Sequence, residues 1–119
     1  MRLLIVMALC LALLASGCIN TSGKYDSFAK CLSSKGVVMY GSKDCTHCSA
    51  QKDAFEGAFQ YVNYTECSVP NQPGVESPIC ANAGIQAYPT WVFPDKTHNE
   101  GEMSFEDLSS KSGCQLPAS

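Results

Sequence analysis

Hydrophobic positions fall into two regimes along this chain. From Leu3 to Ala15 they run almost without a break, after Arg2 and before the small residues Ala15-Ser16-Gly17. Beyond residue 25 they come in short bursts separated by Gly, Pro, Ser and Asn, the pattern of a small domain built from alternating elements. Asp26 is placed to cap a helix running to about Ser34, with Phe28 and Leu32 four apart on one face and Gly36 as its stop. Val37 to Tyr40 is apolar on consecutive positions, as expected of a strand covered on both faces. A helix then begins at Cys45 and extends to about Gln60, with Ala50, Ala54, Phe55, Ala58 and Phe59 as its apolar stripe.

The second half reads in the same way. Tyr61 to Val69 predicts a strand, ended by the loop Pro70-Asn71-Gln72-Pro73-Gly74. Ser77 and Pro78 start a short helix that Gly84 terminates after Ala83. Ile85 to Phe93 predicts a further strand, Pro94-Asp95-Lys96 a turn, and Thr97 to Asn99 the partner strand. Ser104 and Asp107 have the spacing of a helix start, and that helix should reach about Ser112. The predicted order is α-β-α-β-α-β-β-α, an α/β arrangement with no internal repeat.

The apolar leader changes the picture of where such a domain works. Its run is shorter than the ~20 residues that span a bilayer, so it reads as a secretory signal over residues 1–17. Leu14-Ala15-Ser16-Gly17-Cys18 resembles a bacterial lipobox, with Ala15 as a departure from the usual Leu. On that reading Cys18 is the lipidated first residue, residues 18–25 are a tether, 26–114 are the domain and 115–119 a tail. The protein is then exported, held at an outward-facing membrane surface, or free in the periplasm or outside the cell. The 102 residues left after cleavage suffice for one domain. Eight basic residues against eleven acidic ones leave no basic patch for nucleic acid.

The chemistry is carried by cysteine. Six remain in the domain: Cys31, Cys45, Cys48, Cys67, Cys80 and Cys114. Cys45-Thr46-His47-Cys48 places two thiols one helical turn apart at a strand-to-helix junction. The exposed N–H groups of the helix start favour a thiolate at Cys45, and Cys48 is close enough to close a disulfide with it. The same spacing is also half of a zinc site, although the other thiols lie at long, irregular intervals.

The element order, the dithiol at the first strand-to-helix junction and Tyr88-Pro89-Thr90, with Pro89 44 positions after Cys45, together resemble the thioredoxin-like proteins over the whole domain. The segments Phe28-Ala29-Lys30-Cys31-Leu32, Val38-Met39-Tyr40-Gly41, Asn63-Tyr64, Glu66-Cys67 and Gly84-Ile85-Gln86-Ala87-Tyr88-Pro89-Thr90-Trp91 are similar to the thioredoxin-like domain fused to bacterial vitamin K epoxide reductase homologues. The resemblance implies a central mixed sheet of about four strands flanked by helices on both faces. It also implies a cis-proline at Pro89 and substrate docking at Tyr88, Pro89 and Thr90.

The implied activity is thiol-disulfide exchange with protein substrates, with Cys45 attacking, Cys48 resolving and no cofactor or metal. Reoxidation would fall to a separate vitamin K epoxide reductase-like or Dsb-type membrane partner. His47 is expected to give Cys45 a hydrogen bond or positive charge and make the disulfide more oxidising, at about −150 to −220 mV. Met39 stands where many thioredoxins hold a buried carboxylate, which weakens the case for a reductant. Cys67 and Cys80 bracket the Pro/Gly-rich loop, match cysteines of the fused relatives and are expected to form a structural disulfide, with a second redox pair as the alternative. Because the first and last helices of this fold commonly lie on opposite faces, Cys31 is expected as a buried thiol and Cys114 as a tail thiol. The rival readings are a reductant fed by a membrane electron transporter, a non-catalytic metal-binding module, and an adaptor.

Overall fold

The computed structural model describes residues 23–117. The signal segment, Cys18 and the start of the tether lie outside the described residues.

Helix α1 (Asp26–Ser34) forms because Phe28, Ala29 and Leu32 can be buried together on one side. Asp26 is its first residue rather than its cap. Its carboxylate accepts from the Gly23 N–H at 2.8 Å, while Tyr25 holds the cap position. Gly36, with φ of 82°, turns the chain into strand β1 (Val38–Gly41). Helix α2 (Thr46–Ala54) is shorter than the sequence suggests, for Glu56 is left-handed at φ 53° and Glu56–Tyr61 continues as a 3-10 helix. Its inward face is Cys48, Gln51 and Phe55, so Ala50 and Ala54 are exposed.

Strand β2 (Asn63–Glu66) follows, and then a hairpin of β3 (Ser68–Val69) and β4 (Gln72–Glu76) where the sequence predicts one long strand and a loop. Helix α3 (Pro78–Asn82) has Pro78 in its first turn and Ser77 at its cap, although the Ser77 hydroxyl caps nothing. Strand β5 is only Thr90–Val92, because Ile85 to Tyr88 runs as a loop from which Ile85 and Tyr88 still reach the core. Strand β6 (His98–Glu100) and helix α4 (Phe105–Ser112) complete the chain, with the Ser104 hydroxyl accepting from the Asp107 N–H at 3.1 Å.

The main sheet has the order β2-β1-β5-β6, parallel between β1 and β2 and antiparallel elsewhere. Alternation along its strands builds two unequal cores. Met39, Trp91 and Phe93 join Phe28, Leu32, Phe55 and Leu108 on one face, whereas Tyr40 and Val92 pack toward Cys67, Cys80 and Ile85 on the other. Among the described residues α1, α2 and α4 cover the first face: Phe28 of α1 lies 6.2 Å from Phe55 and 5.2 Å from Phe105 of α4, centroid to centroid. Helix α3 covers the other.

This placement corrects the expectation for Cys31 and Cys114. Helices α1 and α4 share a face, so Cys31 and Cys114 meet in a disulfide instead of standing as separate thiols, with Cα atoms 5.9 Å apart. A second disulfide joins Cys67 to Cys80 inside the smaller core.

Candidate functional site

The end of β1 and the start of α2 present the dithiol. Gly41 closes the strand, the Cys45 N–H donates to the Ser42 carbonyl at 3.1 Å, and Cys45 takes an extended conformation as the cap of α2. Its sulfur accepts from the Cys48 N–H at 3.3 Å, a donor that a helix start would otherwise leave unpaired. Among the described residues Cys45 and Cys48 are the free thiols, Cys45 half-buried and Cys48 wholly buried. Burial pushes the Cys48 thiol up to about 12. The neighbouring Cys45 sulfur adds to the rise, and the Ser42 backbone and Lys52 oppose it. One sulfur is thus offered to a partner while the other waits, protonated, behind it.

Across from Cys45 stands the loop before β5. The Tyr88–Pro89 peptide bond is cis, and the Cys45 thiol donates to the Tyr88 carbonyl at 3.4 Å. A four-stranded mixed sheet, a free dithiol capping the helix after its first strand, and a cis-proline loop facing that dithiol are now in view together. The fold is thioredoxin-like.

The sequence-predicted docking residues separate within this thioredoxin-like site. Tyr88 and Pro89 belong to the loop facing Cys45, with Pro89 and Thr90 both wholly buried and Tyr88 half-buried, and the Thr90 hydroxyl is taken up by the Ala87 carbonyl, to which it donates at 2.7 Å. Tyr88 also borders a groove of about 500 Å³ between the Lys43-Asp44 turn and the β3–β4 hairpin, to which its hydroxyl is tied through Glu76 at 3.1 Å. His47 is exposed, and its ring Nδ1 pairs with the Glu102 carboxylate at 2.8 Å. The expected partner was Cys45. The carboxylate competes because Glu102, two residues past the end of β6, lies beside the first turn of α2.

Two features escaped the sequence. The first is Gln51, buried three residues after Cys48. Its carbonyl accepts from the Trp91 indole N–H at 3.1 Å and the Met103 N–H at 2.7 Å, and its amide donates to the Met103 carbonyl at 3.1 Å. A polar side chain on the inward face, in step with Cys48, is the signal that could have shown it. The second is the cluster under Cys48. A Cβ at Gly41 would sit 3.0 Å from the Cys48 sulfur and 3.2 Å from the Tyr64 hydroxyl, so any side chain there would have to push both back by a few tenths of an ångström. Tyr64 donates to Glu66 at 2.6 Å, and Lys52 lies 4.0 Å over the Tyr64 ring. Burial pushes Glu66 up, but hydrogen bonds from Ser68, Tyr64 and the Lys43 N–H outweigh it and bring the carboxyl down to about 2. Burial and this carboxylate hold the Tyr64 hydroxyl well above its ordinary range. Met39 itself is wholly buried and apolar.

Among the described residues the other cysteines are spent, Cys31 with Cys114 and Cys67 with Cys80 in disulfides, and no group of three metal-binding side chains occurs there. No family model matches the chain. It is 37% identical over 94 residues, 76% of its length, to the thiol-disulfide oxidoreductase LTO1 of Arabidopsis thaliana. The chain spans 24% of that relative's length. This likeness supports a thiol-disulfide oxidoreductase.

Proposed function

We propose that the protein is an extracytoplasmic thiol-disulfide oxidoreductase that oxidises or isomerises protein thiols through Cys45 and Cys48. The observation that supports thiol-disulfide exchange, with Cys45 as the sulfur that meets substrate, is the asymmetry of the pair: Cys45 is half-exposed and hydrogen-bonded to the Tyr88 carbonyl, and Cys48 is buried with its thiol pushed up to about 12. In the oxidising direction a substrate thiolate attacks the Cys45 sulfur of the Cys45–Cys48 disulfide. The bond between them breaks, Cys48 leaves and takes up a proton, and a mixed disulfide joins Cys45 to the substrate. A second substrate thiolate then attacks the substrate sulfur of that bond and releases Cys45. The substrate has lost two electrons, and the dithiol has gained them.

In this reading the Tyr88 backbone pairs with an extended substrate segment lying along the adjoining groove. Returning the dithiol to the disulfide requires an oxidant, and the one proposed is a separate quinone-linked membrane oxidase, as the sequence resemblance to vitamin K epoxide reductase fusions implies. Lipidation of Cys18 would hold the domain at the same membrane. The test is equilibration of the purified protein with glutathione, together with oxidation of a dithiol peptide and Cys45→Ser as control. A potential above about −220 mV with stoichiometric peptide oxidation supports the reading, whereas one below about −250 mV assigns the reverse, reductant direction. Mass spectrometry of the mature N-terminus tests the anchor, which an unmodified Cys18 would rule out.

A further inference from the structure

Residues Gly101, Glu102 and Met103 touch three sides of the site in succession. The Gly101 N–H donates to the Pro89 carbonyl at 2.7 Å, Glu102 pairs with His47 at 2.8 Å, and both backbone groups of Met103 are held by the buried Gln51 amide. His47 and Gln51 lie four residues apart on α2, so they occupy one face of it, one turn apart. The segment is therefore a strap laid along the dithiol helix and fixed at its other end to the proline loop. Gln51 is in turn fixed by Trp91 in the core. The register of Glu102 against His47 is thus set by buried groups and not by a chance meeting of two surface side chains.

We infer that Glu102 is a positioning residue for the dithiol: by holding His47 away from Cys45, it sets how strongly the site favours its reduced form. The inference rests on the thiol-disulfide reading above. A cation or donor near the Cys45 sulfur stabilises the thiolate, hence the reduced state, and an anion nearby does the reverse. Engaging the imidazole with a carboxylate removes a donor from the sulfur and keeps a negative charge beside the helix start. Without Glu102 the ring is free to turn toward Cys45, and the disulfide becomes the stronger oxidant. The pair is exposed, so the effect belongs to the scale of a surface ion pair.

The experiment measures the equilibrium constant between the purified protein and glutathione for the wild type, Glu102→Gln, His47→Ala and the double variant, with Glu102→Asp as rescue. Both positions are exposed, and neither substitution empties a core site. Glu102→Gln is expected to shift the constant about two- to fivefold toward the reduced dithiol. Glu102→Asp should return it toward the wild-type value, and the shift should vanish when His47 is Ala. An unchanged constant in Glu102→Gln overturns the inference. So does an equal shift with and without His47, since Glu102 would then act by its own field. Absence of any exchange between the wild type and glutathione overturns the thiol-disulfide reading along with it, whereas normal exchange with an insensitive constant overturns this inference alone.

Discussion

The Cys45 thiol donates its hydrogen bond to the carbonyl of Tyr88, the residue before the cis-proline, at 3.4 Å. The attacking sulfur and the backbone group that would meet a substrate are therefore neighbours before any substrate arrives. Cys48 lies behind, reached through Cys45 and not from solvent.

That arrangement predicts which variant traps an adduct. With Cys48→Ala, incubation with oxidised glutathione should leave one glutathione on Cys45, because the thiol that would expel it is gone. With Cys45→Ala no adduct should form on the buried Cys48. Intact mass under non-reducing conditions reads both, and a stable adduct on Cys48 would reverse the assignment of roles.

The raised Cys48 thiol predicts a pH dependence confined to the reduced protein. A thiol at about 12 in the fold against 9.0 in an unfolded chain binds its proton more tightly when folded. The contribution to stability is full below pH 9 and is lost as pH rises toward about 12. Reduced protein should therefore lose stability over that window relative to the disulfide form, in which Cys48 does not titrate. Urea midpoints of the two forms from pH 8 to 11 check the sign. Alkylation at pH 8 should label Cys45 well before Cys48.

Local signals account for what could be read in the sequence. Helices α1 and α4 stand at their expected residues because Gly36 and the Ser104–Asp107 pair act within a turn of themselves. The dithiol was legible from its spacing, and Pro89 from the resemblance to thioredoxin-like proteins. The extent of β5 was not, since Ile85 packs into the smaller core from a loop and an apolar run reads the same in either conformation. Nor was the β3–β4 hairpin, whose residues are mostly exposed and carry no alternation. The Cys31–Cys114 pairing depends on which face of the sheet each helix covers, a property of the assembled core that neither helix encodes alone.

Glu66 offers an acid-side prediction of opposite sign. Its carboxyl stands at about 2 in the fold against 4.5 unfolded, so its contribution is full above pH 4.5 and is lost as pH falls toward about 2. Glu66→Gln should cost about 1–3 kcal/mol at pH 7, the scale of hydrogen bonds to a charged group. The gap from wild type should narrow steadily below pH 4.5. A gap that stays constant from pH 7 to pH 3, by denaturant unfolding, would show that the charge of Glu66 is not what matters.

The two disulfides should differ in consequence. Cys31 and Cys114 are 83 residues apart and close nearly the whole domain into a loop, whereas Cys67 and Cys80 are 13 apart. On chain entropy the long loop is worth about 4–5 kcal/mol and the short one about 3 kcal/mol. Cys31→Ala with Cys114→Ala should therefore be the more destabilising pair in urea. It should leave the glutathione equilibrium constant of Cys45 and Cys48 within about twofold of wild type, because neither sulfur of that disulfide belongs to the exchanging dithiol. Digestion without reduction should yield a peptide linking Cys31 to Cys114. Recovery of both as free thiols from protein oxidised at its other cysteines would show that the first and last helices are not joined, and with it the larger loss of stability should disappear.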